Sequence, residues 1–227
     1  MSKALTIARI NLRMIKAAYI ITGIHFLLLM VNNIIMICVP VSEADIVSAG
    51  DALVLLPVFA AIFIPAENYR NIINLGGKRK DFLTGTLFVY MFLSALVTLV
   101  MFLFYYVFNR FVANYVESVY ALIEVFGFIK RGPVVAFIQM FAFLSLFAVF
   151  THTLTAMQDK WYGWVTDVVL VAIISVFTPI APLRSALVWF FRAIIFHQNA
   201  LFQITFCFIL MLAIYALSKP VLERKAI

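Results

Sequence analysis

Three ionisable side chains, His25, His152 and Asp167, stand inside long apolar runs. Charge is costly in a hydrocarbon interior, so such groups carry function or are paired. At a rise of about 1.5 Å per residue, each lies about 5–10 Å from the same end of its run. A shared depth would suit a proton relay or a metal site. The plainer reading is structural, and we take it first. A histidine in a helix pair hydrogen-bonds across it, and Asp167 is one turn from water and from Lys160.

Other chemistry is hard to place in this chain. Leu75-Gly76-Gly77-Lys78-Arg79-Lys80 invites a phosphate-loop reading, but Ile72 and Arg79 stand where that motif needs Gly and Ser or Thr. There is no H-E-x-x-H zinc pair and no G-x-S-x-G elbow. Cys38 and Cys207 fall in apolar runs and read as small hydrophobes. No catalytic residue, metal or cofactor is therefore expected, and the chain is not expected to be an enzyme.

The elements that must position these residues are spanning helices. Hydrophobic residues make up 66% of the 227 and charged residues 12%, against roughly 45–50% and about 25% in soluble domains. We expect an all-α, polytopic integral membrane protein forming a single transmembrane domain over 1–227. Its spans fall at about 18–39, 52–66, 82–108, 133–157, 164–182 and 200–217. Pro40 ends the first, and Pro57 and Pro65 are expected to bend the second. Residues 1–17 form an interfacial amphipathic helix, with Arg9, Arg13 and Lys16 on one stripe and Leu5, Ala8, Leu12 and Ile15 beside it. In 109–132, Val112, Val116, Val119, Ile123 and Phe126 recur at helical spacing, which predicts a surface helix. Asn32, Asn33, Gln139, Gln203, Thr151, Thr153, Thr155 and Thr205 read as polar contacts between spans.

Orientation follows the basic residues. With the N-terminus inside, the 17 Lys and Arg divide twelve inside and five outside. Both termini are then cytoplasmic and the chain is multi-pass in the plasma membrane. The net charge of +7 belongs to loops facing headgroups and forms no soluble patch for nucleic acid.

The segment from Arg70 to Asp81 is the longest expected inner loop. Its apolar residues Ile72, Ile73 and Leu75 need burial, and a partner's groove would supply it. Arg70, Lys78 and Arg79 would orient that partner, and Gly76 and Gly77 allow the sharp reversal. The stretch Tyr69–Leu83, YRNIINLGGKRKDFL, resembles the coupling element of the membrane subunits of type-2 ATP-binding-cassette transporters, particularly the short permeases of Gram-positive bacteria. The apolar segment 183–199, interrupted by Arg184, Arg192 and His197, resembles their re-entrant helices. The resemblance covers nearly the whole chain as topology and about 15 residues as motif; the family plan does not explain 109–132. It implies a separate ABC ATPase subunit as partner, a second permease chain, and export of a hydrophobic or peptide-like substrate. ATPase coupling would fall to Arg70, Ile72, Ile73, Leu75, Gly76, Gly77, Lys78 and Arg79. Two rivals stand beside it: a proton-coupled carrier using His25, His152 and Asp167, and a non-transporting immunity or assembly factor.

Overall fold

A long apolar run satisfies its own backbone N–H and C=O groups most simply as a helix. The computed structural model describes residues 3–39 and 45–223 and is almost wholly helical. Pro40 and Glu43, and the basic tail residues Arg224 and Lys225, lie outside the described residues.

Helix α1 (Lys3–Met14) leads into α2 (Lys16–Cys38). After the strand β1 (Asp45–Val47) and a 3-10 turn (Ala49–Val54) come α3 (Leu55–Phe63), a π turn (Ile64–Asn68) and α4 (Tyr69–Asn74). Next are α5 (Arg79–Leu103), a π turn (Phe104–Asn109) and the one-turn α6 (Arg110–Val112). Strand β2 (Ser118–Tyr120), α7 (Leu122–Val125) and a 3-10 turn (Phe128–Arg131) follow. The chain finishes with α8 (Pro133–Met157), α9 (Trp161–Phe177), α10 (Ala181–Phe191), a π turn (Arg192–Phe196) and α11 (Ala200–Glu223).

Among the described residues, five helical stretches are long and apolar enough to cross a membrane: Lys16–Cys38, Ala49–Asn74, Arg79–Val112, Pro133–Met157 and Ala200–Leu222. A sixth passes only as the pair Trp161–Phe177 and Ala181–Phe196, bent by 117°. The fifth span expected from the sequence, 164–182, crosses Pro179. That proline lacks the donor a helix needs and crowds the preceding turn, so α9 stops at Phe177. Pro182 sits in the first turn of α10, where proline is tolerated. Alone, α9 covers about 25 Å, short of the roughly 30 Å hydrocarbon core.

The second stretch, by contrast, is longer than expected. Pro65 sits in the π turn, whose wider winding lets the helix pass the proline and run on through Asn74. The first half of the expected inner loop is thus helix.

Helix α8 is central, packed against α11, α5 and α3. Helix α1 lies along α5, and the Tyr69 hydroxyl donates to the Leu222 carbonyl at 2.7 Å. The N-terminal helix, the 69–82 elbow and the end of α11 therefore share one end of the bundle, here the terminal end. Ala4, Ile7, Ala8, Asn11 and Ile15 are buried while Arg9 and Arg13 are exposed. The face of α1 expected to meet lipid is largely packed on its own protein, with Leu5 and Leu12 at its edge.

The opposite end is covered by a cap. The segment 109–132 is not the single amphipathic helix its periodicity predicted. Strands β1 and β2 pair in parallel, with Ile46 opposite Val119. Ile46, Val112 and Val116 form a small core against Met36, Ile37 and Phe108. Asn33 Nδ2 donates to the Val47 carbonyl, Ser48 Oγ to Asn109 Oδ1, and the Leu122 N–H to Asp51 Oδ2. Gly127 and Gly132, at φ 71° and 89°, make the reversals that a continuous helix has no place for. The apolar positions were read correctly, but a non-local strand pairing overrides their helical spacing.

Candidate functional site

At the terminal end, α4, a tight turn and the start of α5 form an elbow. Gly76 takes φ 83°, and the amides of Gly76 and Gly77 bond the carbonyls of Ile73 and Ile72. A Cβ on Gly77 would stand 2.7 Å from the Ile72 carbonyl oxygen, so the turn closes only around glycine.

The elbow is anchored from inside. Ile72 is 4% exposed and belongs to the main core with Tyr69, Phe82 and Leu222, and Ile73 packs against that core. The rings of Tyr69 and Phe82 meet edge to face at 5.1 Å across the turn. Both isoleucines are expected from sequence to meet a partner; the fold itself buries Ile72 and half-buries Ile73. Leu75 alone is presented, at 84% exposure, with Arg70, Lys78 and Lys80 exposed around it and Arg79 half-buried.

A buried polar chain ties the elbow to α1. Asn68 Nδ2 donates to Asn11 Oδ1, and Asn11 Nδ2 donates to Thr86 Oγ1, each at 3.2 Å. These three residues, with Tyr69, were not singled out from sequence. Their signal was available: Thr86, Tyr90, Ser94 and Thr98 recur every four residues and put one polar stripe along α5.

The stripe leads to the most enclosed of the three ionisable residues. His152 is fully buried, its Nδ1 is 2.7 Å from the Tyr90 hydroxyl, and its ring lies 5.7 Å from that of Tyr215. The Tyr215 hydroxyl donates to the Leu83 carbonyl. His152 thus joins α5, α8 and α11 through aromatic neighbours.

The other two stand elsewhere. Asp167 accepts a 2.6 Å bond from Gln158 Nε2 across the α8–α9 turn. His25 faces the cap, lining a recess of about 420 Å³ with Asp51, Tyr120 and Leu122. The shared depth expected for the three does not translate into a common site. Among the described residues, no three His, Cys, Asp or Glu side chains are grouped to hold a metal ion.

Of the expected contacts between spans, Gln203 makes a strong one, donating to the Ile194 carbonyl at 2.6 Å. Thr151 and Thr155 bond back to their own helix, and Thr153 does so while reaching Ile214 at 3.4 Å.

Asp167→Asn is expected to leave expression and thermal stability in detergent nearly unchanged, since the amide retains an acceptor for Gln158 and removes a charge. A large loss of either would overturn that reading of its structural role. Comparison of the chain with protein-family models, curated proteins and solved structures gave no match.

Proposed function

We propose that this chain is the membrane-spanning permease subunit of an ATP-binding-cassette transporter, exporting a hydrophobic or peptide-like substrate. A separate ATPase subunit supplies the energy, and two permease chains pair to form the path in the plasma membrane. The observation that carries the reading is the elbow. A helix–turn–helix corner rooted in the core by Tyr69 and Ile72 presents one strongly exposed apolar side chain, Leu75, in a segment that also carries the exposed basic residues Arg70, Lys78 and Lys80. Such a corner passes force between a soluble partner and the bundle because it cannot yield independently of the bundle. Continuity of α5 from Arg79 to Leu103 extends the lever through the membrane. Helix α1 braces the same corner through Asn11 and Asn68.

The carrier reading requires His25, His152 and Asp167 to exchange protons. Their neighbours are different in each case, so it draws no support from the arrangement.

The test is Leu75→Asp. Being exposed, the position tolerates the change in fold. The variant is expected to insert and fold as the parent does, and to lose co-purification with the ATPase and ATP-driven transport together. A variant that keeps both would remove the elbow as the coupling site. Transport that instead collapses with the proton gradient, without ATP, would favour the carrier. Neither activity in the parent would favour an immunity or assembly factor.

A further inference from the structure

One side of α2 keeps its residues out of the bundle. Ile21, His25, Leu28, Asn32 and Ile35 are all exposed, and they recur at alternating steps of four and three. That spacing is a heptad seam, the pattern on which two parallel helices interlock their side chains. His25 and Asn32 take equivalent places in it, seven residues apart. Both lie within about 8 Å of the midpoint of the 23-residue α2, at a rise of about 1.5 Å per residue.

The chain itself satisfies neither polar group. Asn33 turns inward and donates to the Val47 carbonyl. Asn32 stands about 100° away round the helix. Among the described residues, neither it nor His25 makes a side-chain hydrogen bond. His25 also lines the recess beside the cap, yet its ring stays exposed. Hydrocarbon offers these groups no partner, and an unbonded carboxamide there is costly. The exposed row of α5 shows what a lipid face is made of: Phe88, Phe92, Leu96, Leu99 and Leu103 are all apolar. The α2 seam departs from that composition at two positions close to mid-membrane.

We propose that this seam seats a second copy of the chain, α2 against α2 in parallel. Copies of one chain cross the membrane in the same direction, so a contact between their α2 helices is parallel by necessity. A two-fold axis along the membrane normal then sets each seam residue opposite its own counterpart. Polar groups at such positions must be complementary to themselves. A carboxamide carries donors and an acceptor, and a neutral imidazole carries one of each, so Asn32 and His25 each bond the same residue of the other copy. Leu28 and Ile35 pack the apolar layers between them. The inference rests on the reading in which two permease chains pair, and deepens it; the contact itself needs neither ATPase nor substrate.

The test is disulfide trapping in native membranes. It uses the full chain carrying Cys38→Ala, which leaves the buried Cys207 as the one native thiol. Single cysteines replace Leu27, Leu28, Ile34 and Ile35 in turn; all four are exposed, so the fold tolerates the changes. Leu27 and Leu28 share a depth, as do Ile34 and Ile35, and only the second of each pair lies on the seam. Oxidation with copper phenanthroline in air is expected to give a covalent dimer from Leu28→Cys and Ile35→Cys. Leu27→Cys, Ile34→Cys and the Cys38→Ala parent should give little. Adding Asn32→Leu to Leu28→Cys should lower the dimer fraction about threefold, the factor of one interhelical hydrogen bond in a membrane. Asn32→Gln, which keeps the carboxamide, should retain the dimer. Equal trapping at all four positions, trapping at 27 and 34 alone, trapping at none, or a dimer unaffected by Asn32→Leu would each overturn the proposal. ATPase docking at Leu75 does not enter the measurement, so failure of the seam and failure of the elbow are seen separately.

Discussion

Gly85→Ala is expected to destabilise the protein by about 2 kcal/mol, within the usual cost of overpacking, and to release α1 from the bundle. Alanine for glycine inside a helix ordinarily stabilises by up to about 1 kcal/mol. The sign reverses here because a Cβ at Gly85 would stand 2.6 Å from the Ala4 carbonyl oxygen and 3.1 Å from Ile7 Cβ. The first of these is backbone and cannot turn aside, so α1 itself must shift. The shift would stretch the 3.2 Å bond from Asn11 to Thr86, one residue along from the substitution. Gly23 is the matched control, because an added Cβ there meets nothing within 4 Å. Thermal unfolding in detergent should place Gly85→Ala below the parent and Gly23→Ala at or above it. A cysteine label at Ile7 should react only in the Gly85→Ala background. Equal stability of the two variants would mean that α1 is not held on α5 as described.

Ile72→Ser and Leu75→Ser should separate by several kcal/mol although only three residues apart. Ile72, at 4% exposure, loses most of a core side chain and gains a buried hydroxyl. Truncations of this kind cost about 2–5 kcal/mol before the hydroxyl is counted. Leu75, at 84% exposure, has little native packing to lose, and exposed substitutions stay within about 0.5 kcal/mol. Expression and unfolding temperature of the two single variants check this directly. A triple replacement of Ile72, Ile73 and Leu75 would confound docking with folding, because its first two members hold the elbow together. Similar unfolding temperatures for Ile72→Ser and Leu75→Ser would contradict the anchored elbow.

The contrast between these two residues also marks how far the sequence could be read. Hydropathy located the five apolar stretches that fold as spanning-length helices, because backbone satisfaction in an apolar run has one simple solution, but not the break that splits the expected fifth span. Pro133–Met157 emerged with the expected bounds, and Ala200 opens α11 as predicted. Local proline chemistry was harder to weigh: Pro65 was absorbed into a π turn while the helix before Pro179 stops at Phe177. The cap was misread for a different reason. Val112, Val116 and Ile123 are buried, as their spacing implied, yet β1 and β2 meet across more than 70 residues of chain. No local pattern encodes such a pairing. At the elbow, the sequence identified Ile72 as a residue that needs burial but not that Tyr69, Phe82 and Leu222 provide it.

Photo-crosslinking from position 75 in native membranes tests the central claim most directly. A benzophenone amino acid replacing Leu75 projects from the elbow without disturbing Ile72. The expected result is a single adduct with a soluble ATPase subunit, formed from the cytoplasmic side and lost when the ATPase is stripped from the membrane. An adduct with lipid alone, or labelling of position 75 from outside the cell, would contradict it.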